Sequence, residues 1–542
     1  MSCSSKENIT APPWLTHLNL PAEMLPYVVN SQASLRRKCL QDDRCPFKDF
    51  IASGRCIGFE SGCEFKSSFS YRSTISCPRN SNWPDARTKV AQKQLFFKQG
   101  DFGYAKLRVD TMAGICVSPL DDPDSSYLTC SDHLKHCWAK NIFFDFKSLN
   151  AATSYRYRED VIHEGEVGGR CTTELRKHII RQRADHRGYL QSWSHELQHF
   201  ESHDDFRVDR AHCDVIFTRP TVIIKLDAAV NMYHHYCDFI NLFASQFING
   251  SFTDDIDILW WDTHPHGFVD RMFGATWRAF SRHKPIELVS LDGKRVCFRN
   301  ALLPLLARQR FGLFFNTPIV DGDCSGSAMF RWFSKFLLHR LNISQPAPRK
   351  DRVRVTLLSR DTEFRNILNE REIIRAIETV PELEFKRVVY KPYSPPFLEQ
   401  IAMTHDSDVF MSMHGSGLTH LLFLPDWAGV FEIYNCDDRG CYYDLARLRG
   451  LNYRTWEKQE KLVQQGPGKH PRDGTPHKKF TNYSFDVAEF MRILLEMVDT
   501  VKRHPEFVRA RSDANCARHY DQSRDPAPQL DKQPKSHGND EL

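Results

Sequence analysis

Residues 352–501 alternate short apolar runs with amphipathic stretches of helical period. The pattern predicts strands at Arg352–Leu358, Glu384–Tyr390, Asp408–Met413, Gly429–Tyr434 and Asn452–Trp456. Helices are expected between them at Glu370–Glu378, Pro396–Thr404, Leu418–Leu424 and Tyr443–Leu448. Regular alternation with short connections implies a parallel sheet covered on both faces. A polar loop, Gln464–Lys479, then leads into a closing amphipathic helix, Phe485–Val501. The preceding half repeats the alternation more loosely. It predicts strands at Asp214–Thr218, Thr221–Leu226, Asp257–Trp261 and Ile286–Leu291, and helices at Asn231–Ile248, Phe268–Ser281 and Ser327–Leu341.

Ser344–Asp351 has no periodicity and reads as a linker between the two halves. The expected fold class is α/β, with Rossmann-like domains at 179–343 and 352–510 joined by residues 344–351. Residues 1–178 form a Cys-rich region, and 511–542 a polar, Pro-punctuated tail expected to be flexible. No repeat of solenoid type is present. Two such domains predict a cleft, and open parallel sheets bind ligands at the carboxyl ends of their strands.

Composition narrows the class and the compartment. The 542 residues carry a formal charge of +5, with 41% apolar and 26% charged residues, as in ordinary globular proteins. That charge is too small to argue for nucleic acid, and no run approaches a membrane span. Ten of the 17 Cys fall within the first 171 residues. Their spacings are wide and irregular, which favours disulfides over a structural zinc site and an oxidising compartment over the cytosol. The odd total leaves at least one thiol unpaired. Sequons at Asn8, Asn249, Asn342 and Asn482 fit the same compartment. The chain closes on Asn539-Asp540-Glu541-Leu542, which matches a lumenal retention signal at its last three positions, with Asn539 in place of Lys or His. Residues 1–30 hold no signal-peptide core, so an upstream signal is expected to be removed or absent from the sequence.

Four segments carry candidate chemistry. The strand ending at Met413 runs into His414-Gly415-Ser416-Gly417 and then a helix, whose free first-turn amides suit a phosphate; a tight structural turn is the plainer alternative. Arg360 and Arg365 follow the first strand of the same domain, where a guanidinium pair suits a diphosphate, or else surface pairing to Asp361 and Glu363. Glu432, near the end of a neighbouring strand, is a candidate acceptor for ribose hydroxyls. In the first domain His234, His235 and Asp238 sit on an otherwise apolar helix. There they could form a buried hydrogen-bonded cluster, bind a metal, or supply a general base with its orienting partner, and Asp238 is the candidate base. Asp-x-Asp pairs at Asp122/Asp124, Asp255/Asp257 and Asp321/Asp323 give weak support for a metal–nucleotide role.

Met413 to Trp427, Val430 to Asn435, Ser359 to Asn369 and His235 to Asn241 together resemble glycosyltransferase family 61, although the family commonly has Ala at the position of Ser416. The resemblance implies a GT-B-like fold of two facing Rossmann-like domains behind a Cys-rich, disulfide-stapled N-terminal region. It further implies an inverting enzyme of the endoplasmic reticulum lumen that moves GlcNAc from UDP-GlcNAc to Ser or Thr of folded EGF-like domains, Notch-type receptors included. Arg360, Arg365, His414, Gly415, Ser416, Gly417 and Glu432 would hold the donor; Asp238, with His234 or His235, would activate the acceptor. The implied partners are folded EGF-like domains and a retention receptor at the C-terminus. No tightly bound cofactor is implied; manganese is compatible with the enzyme type, but helix amides and Arg can do the same work. The alternatives are a catalytically silent lumenal binding or chaperone protein, and a family relative with another donor or acceptor.

Overall fold

A computed structural model describes residues 12–522, apart from 59, 61–74 and the single positions 120, 316, 318, 320, 345 and 393. Asn8 and Asn539–Leu542 therefore lie outside the described residues.

The first sheet comprises β1 (Ala113–Val117), β2 (Tyr127–Cys130), β3 (Cys137–Asp145), β4 (Val167–Gly169), β5 (Glu174–Leu175), β6 (Glu201–Ser202), β7 (Val215–Phe217), β8 (Thr221–Lys225), β9 (Asp257–Trp261), β10 (Ile286–Glu287) and β11 (Arg295–Leu303). The main strand order is β10-β9-β8-β11-β3-β2-β1-β5. From β10 to β11 the pairing is parallel, whereas β3 joins β11 antiparallel along its whole length, from Arg295↔Asp145 to Leu303↔Cys137. The boundary expected at residue 178 thus does not interrupt the sheet, because the Cys-rich region contributes its antiparallel half.

The second sheet comprises β12 (Val353–Leu358), β13 (Leu383–Val388), β14 (Val409–Ser412), β15 (Gly429–Glu432) and β16 (Asn452–Thr455), in the order β13-β12-β14-β15-β16 with every pairing parallel. The three inner strands are buried along their full length, which is why they read as continuous apolar runs. Strand order reverses between β12 and β14. The segments leaving those two strands contain Arg360, Arg365 and His414–Gly417, so the crevice falls where the topology places a ligand.

The helix Met232–Asn249 joins the sheets. Asn231 caps its start by accepting from the Tyr233 amide, and Gly250 ends it at φ 64°. It is apolar around most of its circumference and buried accordingly. Tyr236 packs on Phe423 of the second domain at 5.6 Å between ring centroids, and one apolar core runs from this helix through Phe333 to Leu418, Leu421 and Leu422.

Several elements depart from the expected pattern. Phe268–Ser281 yields only a 3-10 turn, Gly274–Ala279, because Asp270 accepts from the Phe273 amide at 2.9 Å and the Trp277 indole at 3.0 Å and holds a local turn. Ile286–Leu291 keeps two strand residues before a 3-10 turn, and the helix expected at Leu418–Leu424 is a 3-10 helix, Ser416–Phe423, with Leu424 extended beyond its end. The polar tail expected from residue 511 begins inside the helix Pro505–Gln522, anchored where Phe507 packs on Trp427.

Among the described residues, disulfides join Cys39–Cys45, Cys77–Cys324, Cys116–Cys171, Cys130–Cys137 and Cys213–Cys297. Cys116–Cys171, Cys130–Cys137 and Cys213–Cys297 staple the first sheet, Cys77–Cys324 ties the N-terminal region to the segment before the helix Ala328–Arg340, and Cys39–Cys45 closes a short loop within that region. Cys237, Cys436 and Cys441 are free. Among the described residues no helix is long and apolar enough to cross a membrane. Asn249 and Asn342 are exposed at the ends of helical segments; the Asn482 amide donates to Gln465 at 2.8 Å and its oxygen accepts from the Asn366 backbone at 2.9 Å.

Candidate active site

Arg360 and Arg365 converge on one backbone carbonyl. Both guanidinium groups reach the His414 oxygen, at 3.5 and 3.1 Å, and Arg360 Nε also donates to the Phe364 oxygen at 3.2 Å. Among the described residues neither makes an ion pair, while Asp361 is taken by Lys391. The Arg365 Nε is buried without a partner. Burial, then the neighbouring Arg365 charge, depresses Arg360 to about 10. Two half-buried like charges held side by side without a carboxylate are expensive unless an anion binds between them.

The loop beneath them is shaped for that pair. Gly415 has φ 155°, and a Cβ there would come within 2.3 Å of Arg360 Nη1. Among the described residues the Ser416 and Gly417 amides make no hydrogen bond within the chain, whereas the Leu418 amide returns to the Gly415 oxygen. Gly417 packs on Leu358, where a Cβ would approach Cδ2 at 2.7 Å. Glycine at 415 therefore serves close approach by Arg360, and the amides beyond it remain available to a ligand.

His414 and Glu432 take different positions from those expected. Glu432 is fully buried: one oxygen meets His414 Nδ1 at 2.8 Å and the other accepts from the Tyr453 hydroxyl. It orients His414 and, sealed from solvent, lines neither of the cavities where a ribose could sit. His414, Gly415, Ser416 and Arg365 instead line a cavity of about 510 Å³, with Asn231 and His234 on its opposite wall. A second cavity of about 440 Å³ lies across Ser416, lined by Arg360, Tyr390 and His420 and by Met232 and Met272 of the first domain. His420 Nδ1 faces the Gly417 carbonyl at 3.0 Å, so Nε2 is left buried and unpartnered; burial lowers its pKa to about 4.

The helix candidates separate by one residue. His235 lies between two buried carboxylates, with Nδ1 2.9 Å from Asp238 and Nε2 2.7 Å from Asp270. All three side chains are sealed from solvent. Burial works against the imidazolium, but hydrogen bonds to Asp238 and Asp270 outweigh it and raise His235 to about 9. Asp238 is lifted to about 6, because burial exceeds the His235 bond. Its oxygens also accept from the Asp227 amide, at 3.1 Å for the nearer one. The expected base thus faces the core, and the trio secures the helix within it.

His234 faces the cleft. Its Nδ1 is 3.4 Å from Asp227, a residue sequence reasoning passed over, just beyond β8. Arg308 grips Asp227 through Nε at 2.6 Å and Nη2 at 2.8 Å. Burial would raise Asp227, but its bonds to His234 and Arg308 hold it down at about 2. The signal for Asp227 in the sequence was its place at a strand's carboxyl end.

The carboxylates that line the two cavities are already paired: Asp438 with Lys479, Asp444 with Arg447 and Asp361 with Lys391. The donor set therefore does not fit a divalent ion bridging a diphosphate. The Asp-x-Asp pairs lie elsewhere, with Asp257 held by Arg219, Asp255 by His283 and Asp323 by Arg79.

Residues 232–431, which span the capped helix, the Arg pair and the His414 loop, match the Glycosyltransferase 61 family. The chain is similar over most of its length to proteins described as EGF domain-specific O-linked N-acetylglucosamine transferases. It is 45% identical to that of Gallus gallus, covering 90% of this chain and 91% of the relative. The Bos taurus protein is 43% identical with 92% and 93% covered, and that of Drosophila melanogaster 42% with 91% and 93% covered. With relatives of that similarity over nine-tenths of its length, the chain belongs to glycosyltransferase family 61.

Proposed function

We propose that the protein transfers GlcNAc from UDP-GlcNAc to Ser or Thr of folded EGF-like domains in the endoplasmic reticulum lumen, its two sheets forming the lobes of a GT-B-like enzyme. The activity follows the relatives' descriptions. The observation that carries it here is the Arg360–Arg365 pair, two cations with no anion among the described residues between them. The disulfides fit the compartment. The receptor-read retention role is assigned to Asn539–Leu542.

In this reading the donor diphosphate sits against Arg360, Arg365 and the Ser416 and Gly417 amides. His234 replaces Asp238 as the base, because His234 lines the cleft and Asp238 does not. Asp227 and Arg308 both meet His234 Nδ1, at 3.4 and 3.3 Å, and together fix the ring. His234 takes the proton of the acceptor hydroxyl as its oxygen attacks the anomeric carbon from the face opposite UDP. The bond from that carbon to the β-phosphate oxygen breaks, and its electron pair leaves on UDP, where the Arg pair meets the added charge. Inversion follows from the opposite faces of attack and departure. No step is routed through a metal.

Charge-assisted hydrogen bonds contribute about 1.5–3 kcal/mol each. Arg360→Ala and Arg365→Ala should therefore each weaken UDP about 10- to 100-fold in calorimetric titration, with the melting temperature preserved. Wild-type UDP affinity in both variants would remove the diphosphate from this site.

A further inference from the structure

Large apolar side chains exposed on the first domain gather at one edge. Because β8, β9 and β11 run parallel, the loops after them leave the sheet on the same side. Each of these loops walls the cleft: Asn231 follows β8, Met272 follows β9, and Phe314 and Phe315 follow β11. Each also turns an apolar side chain to solvent: Val230 is 79% exposed, Val269 51% and Phe311 53%.

A fourth segment joins them. Tyr155 and Tyr157 are 65% and 39% exposed. They are pinned to the same edge just beyond β9, where Thr263 Oγ1 donates to the Tyr155 oxygen at 2.6 Å and accepts from the Arg158 amide at 3.2 Å. Tyr157 packs edge-on against Tyr189 at 5.2 Å and lies within the field of Asp227 and Arg308, the pair that orients His234.

The backbone at this edge is strained. Tyr157, Phe311 and Phe314 hold φ values of 67°, 55° and 71°. Aromatic residues rarely occupy the left-handed region, and such strain persists where the surrounding structure enforces it, commonly at binding sites. Exposed apolar side chains gathered on one surface mark interaction sites, and aromatic side chains are the usual anchors.

We infer that this edge, with Tyr157 and Phe311 as anchors, seats the folded EGF-like acceptor domain and sets acceptor specificity. The inference rests on the proposed reaction. Its occupant follows from continuity with the cleft: an acceptor hydroxyl reaching His234 must belong to a body resting on the loops around Asp227. A small disulfide-stapled domain has little core and exposes apolar side chains of its own, which this edge would cover.

The test uses Tyr157→Asn and Phe311→Asn, since Asn tolerates the left-handed region and removes the ring. Tyr157→Phe keeps the ring, and Val463→Ser alters an exposed apolar residue elsewhere. Binding of a folded EGF-like domain is titrated in the presence of UDP, and transfer is read as mass gain. Melting temperatures check the fold, with the two Asn variants on separate loops measured singly and together. The expected result is at least a tenfold loss of acceptor affinity in the double variant, near wild-type affinity in Tyr157→Phe and Val463→Ser, and unchanged UDP affinity throughout. Unchanged acceptor affinity in both Asn variants overturns the docking edge, even if the wild type transfers sugar. Loss of binding in the variants without transfer by the wild type keeps the edge and overturns the reaction. No binding to the wild type overturns the occupant.

Discussion

His234 and Asp238 stand one helical turn apart, and the spacing that places them on one face says nothing about which end of that face reaches the cleft. Packing decides it. The turn beyond His234 enters the core, so His235 and Asp238 satisfy each other there with Asp270. His234→Ala should lower the transfer rate by about 10²–10⁴-fold while UDP still binds. Asp238→Asn should instead lower the melting temperature, because it leaves His235 short of one carboxylate. Single-turnover transfer beside thermal melting separates the two; normal stability with abolished transfer in Asp238→Asn would restore Asp238 as base. The same trio predicts a pH effect. His235 rises to about 9 in the folded chain, against about 6.5 unfolded. It binds its proton more tightly when folded, so its stabilisation is complete below about pH 6.5 and is lost as the pH rises through about 9. Asp238, also raised, acts with the same sign at lower pH. The fall in melting temperature between pH 6.5 and 9.5 should be steeper in the wild type than in His235→Asn, and equal slopes would count against the charged trio.

At the scale of elements, the second domain was legible because parallel strands buried on both faces must be apolar throughout, as Val355, Leu357, Phe410 and Phe431 are. The switch-point loops were legible for the same reason, since their strands were. The nine-residue strand β11 was missed: Arg299 and Asn300 interrupt its apolar run, and only its long-range pairing with β3 specifies it. The roles of Gly415 and Glu432 were equally hidden, because each depends on a partner distant in sequence. Spacing could not show that Arg360 packs over Gly415 or that Tyr453 takes the second oxygen of Glu432. Gly415→Ala should push the Arg360 guanidinium aside and weaken UDP about tenfold, and should also lower the melting temperature, because φ 155° with ψ 165° is a backbone region that only glycine occupies without strain. Calorimetry on that variant checks it, and wild-type affinity would mean that Arg360 reaches the ligand from another position.

Over the whole molecule, the Cys-rich region and the two α/β domains form a more continuous body than composition implied. Cys77–Cys324 spans 247 residues, the Cys-rich strands complete the first sheet, and one apolar core crosses between the domains. That continuity fixes His234 opposite the Arg pair, and with it the central claim that the cleft moves a sugar from a nucleotide diphosphate to a protein hydroxyl. The most direct test incubates the purified protein with UDP-GlcNAc and a folded EGF-like domain and weighs the domain by mass spectrometry. One N-acetylhexosamine should be gained on a Ser or Thr, and Arg365→Ala or His234→Ala should abolish or sharply reduce the gain. An unmodified domain, under conditions where UDP binds the wild-type protein, would contradict the account.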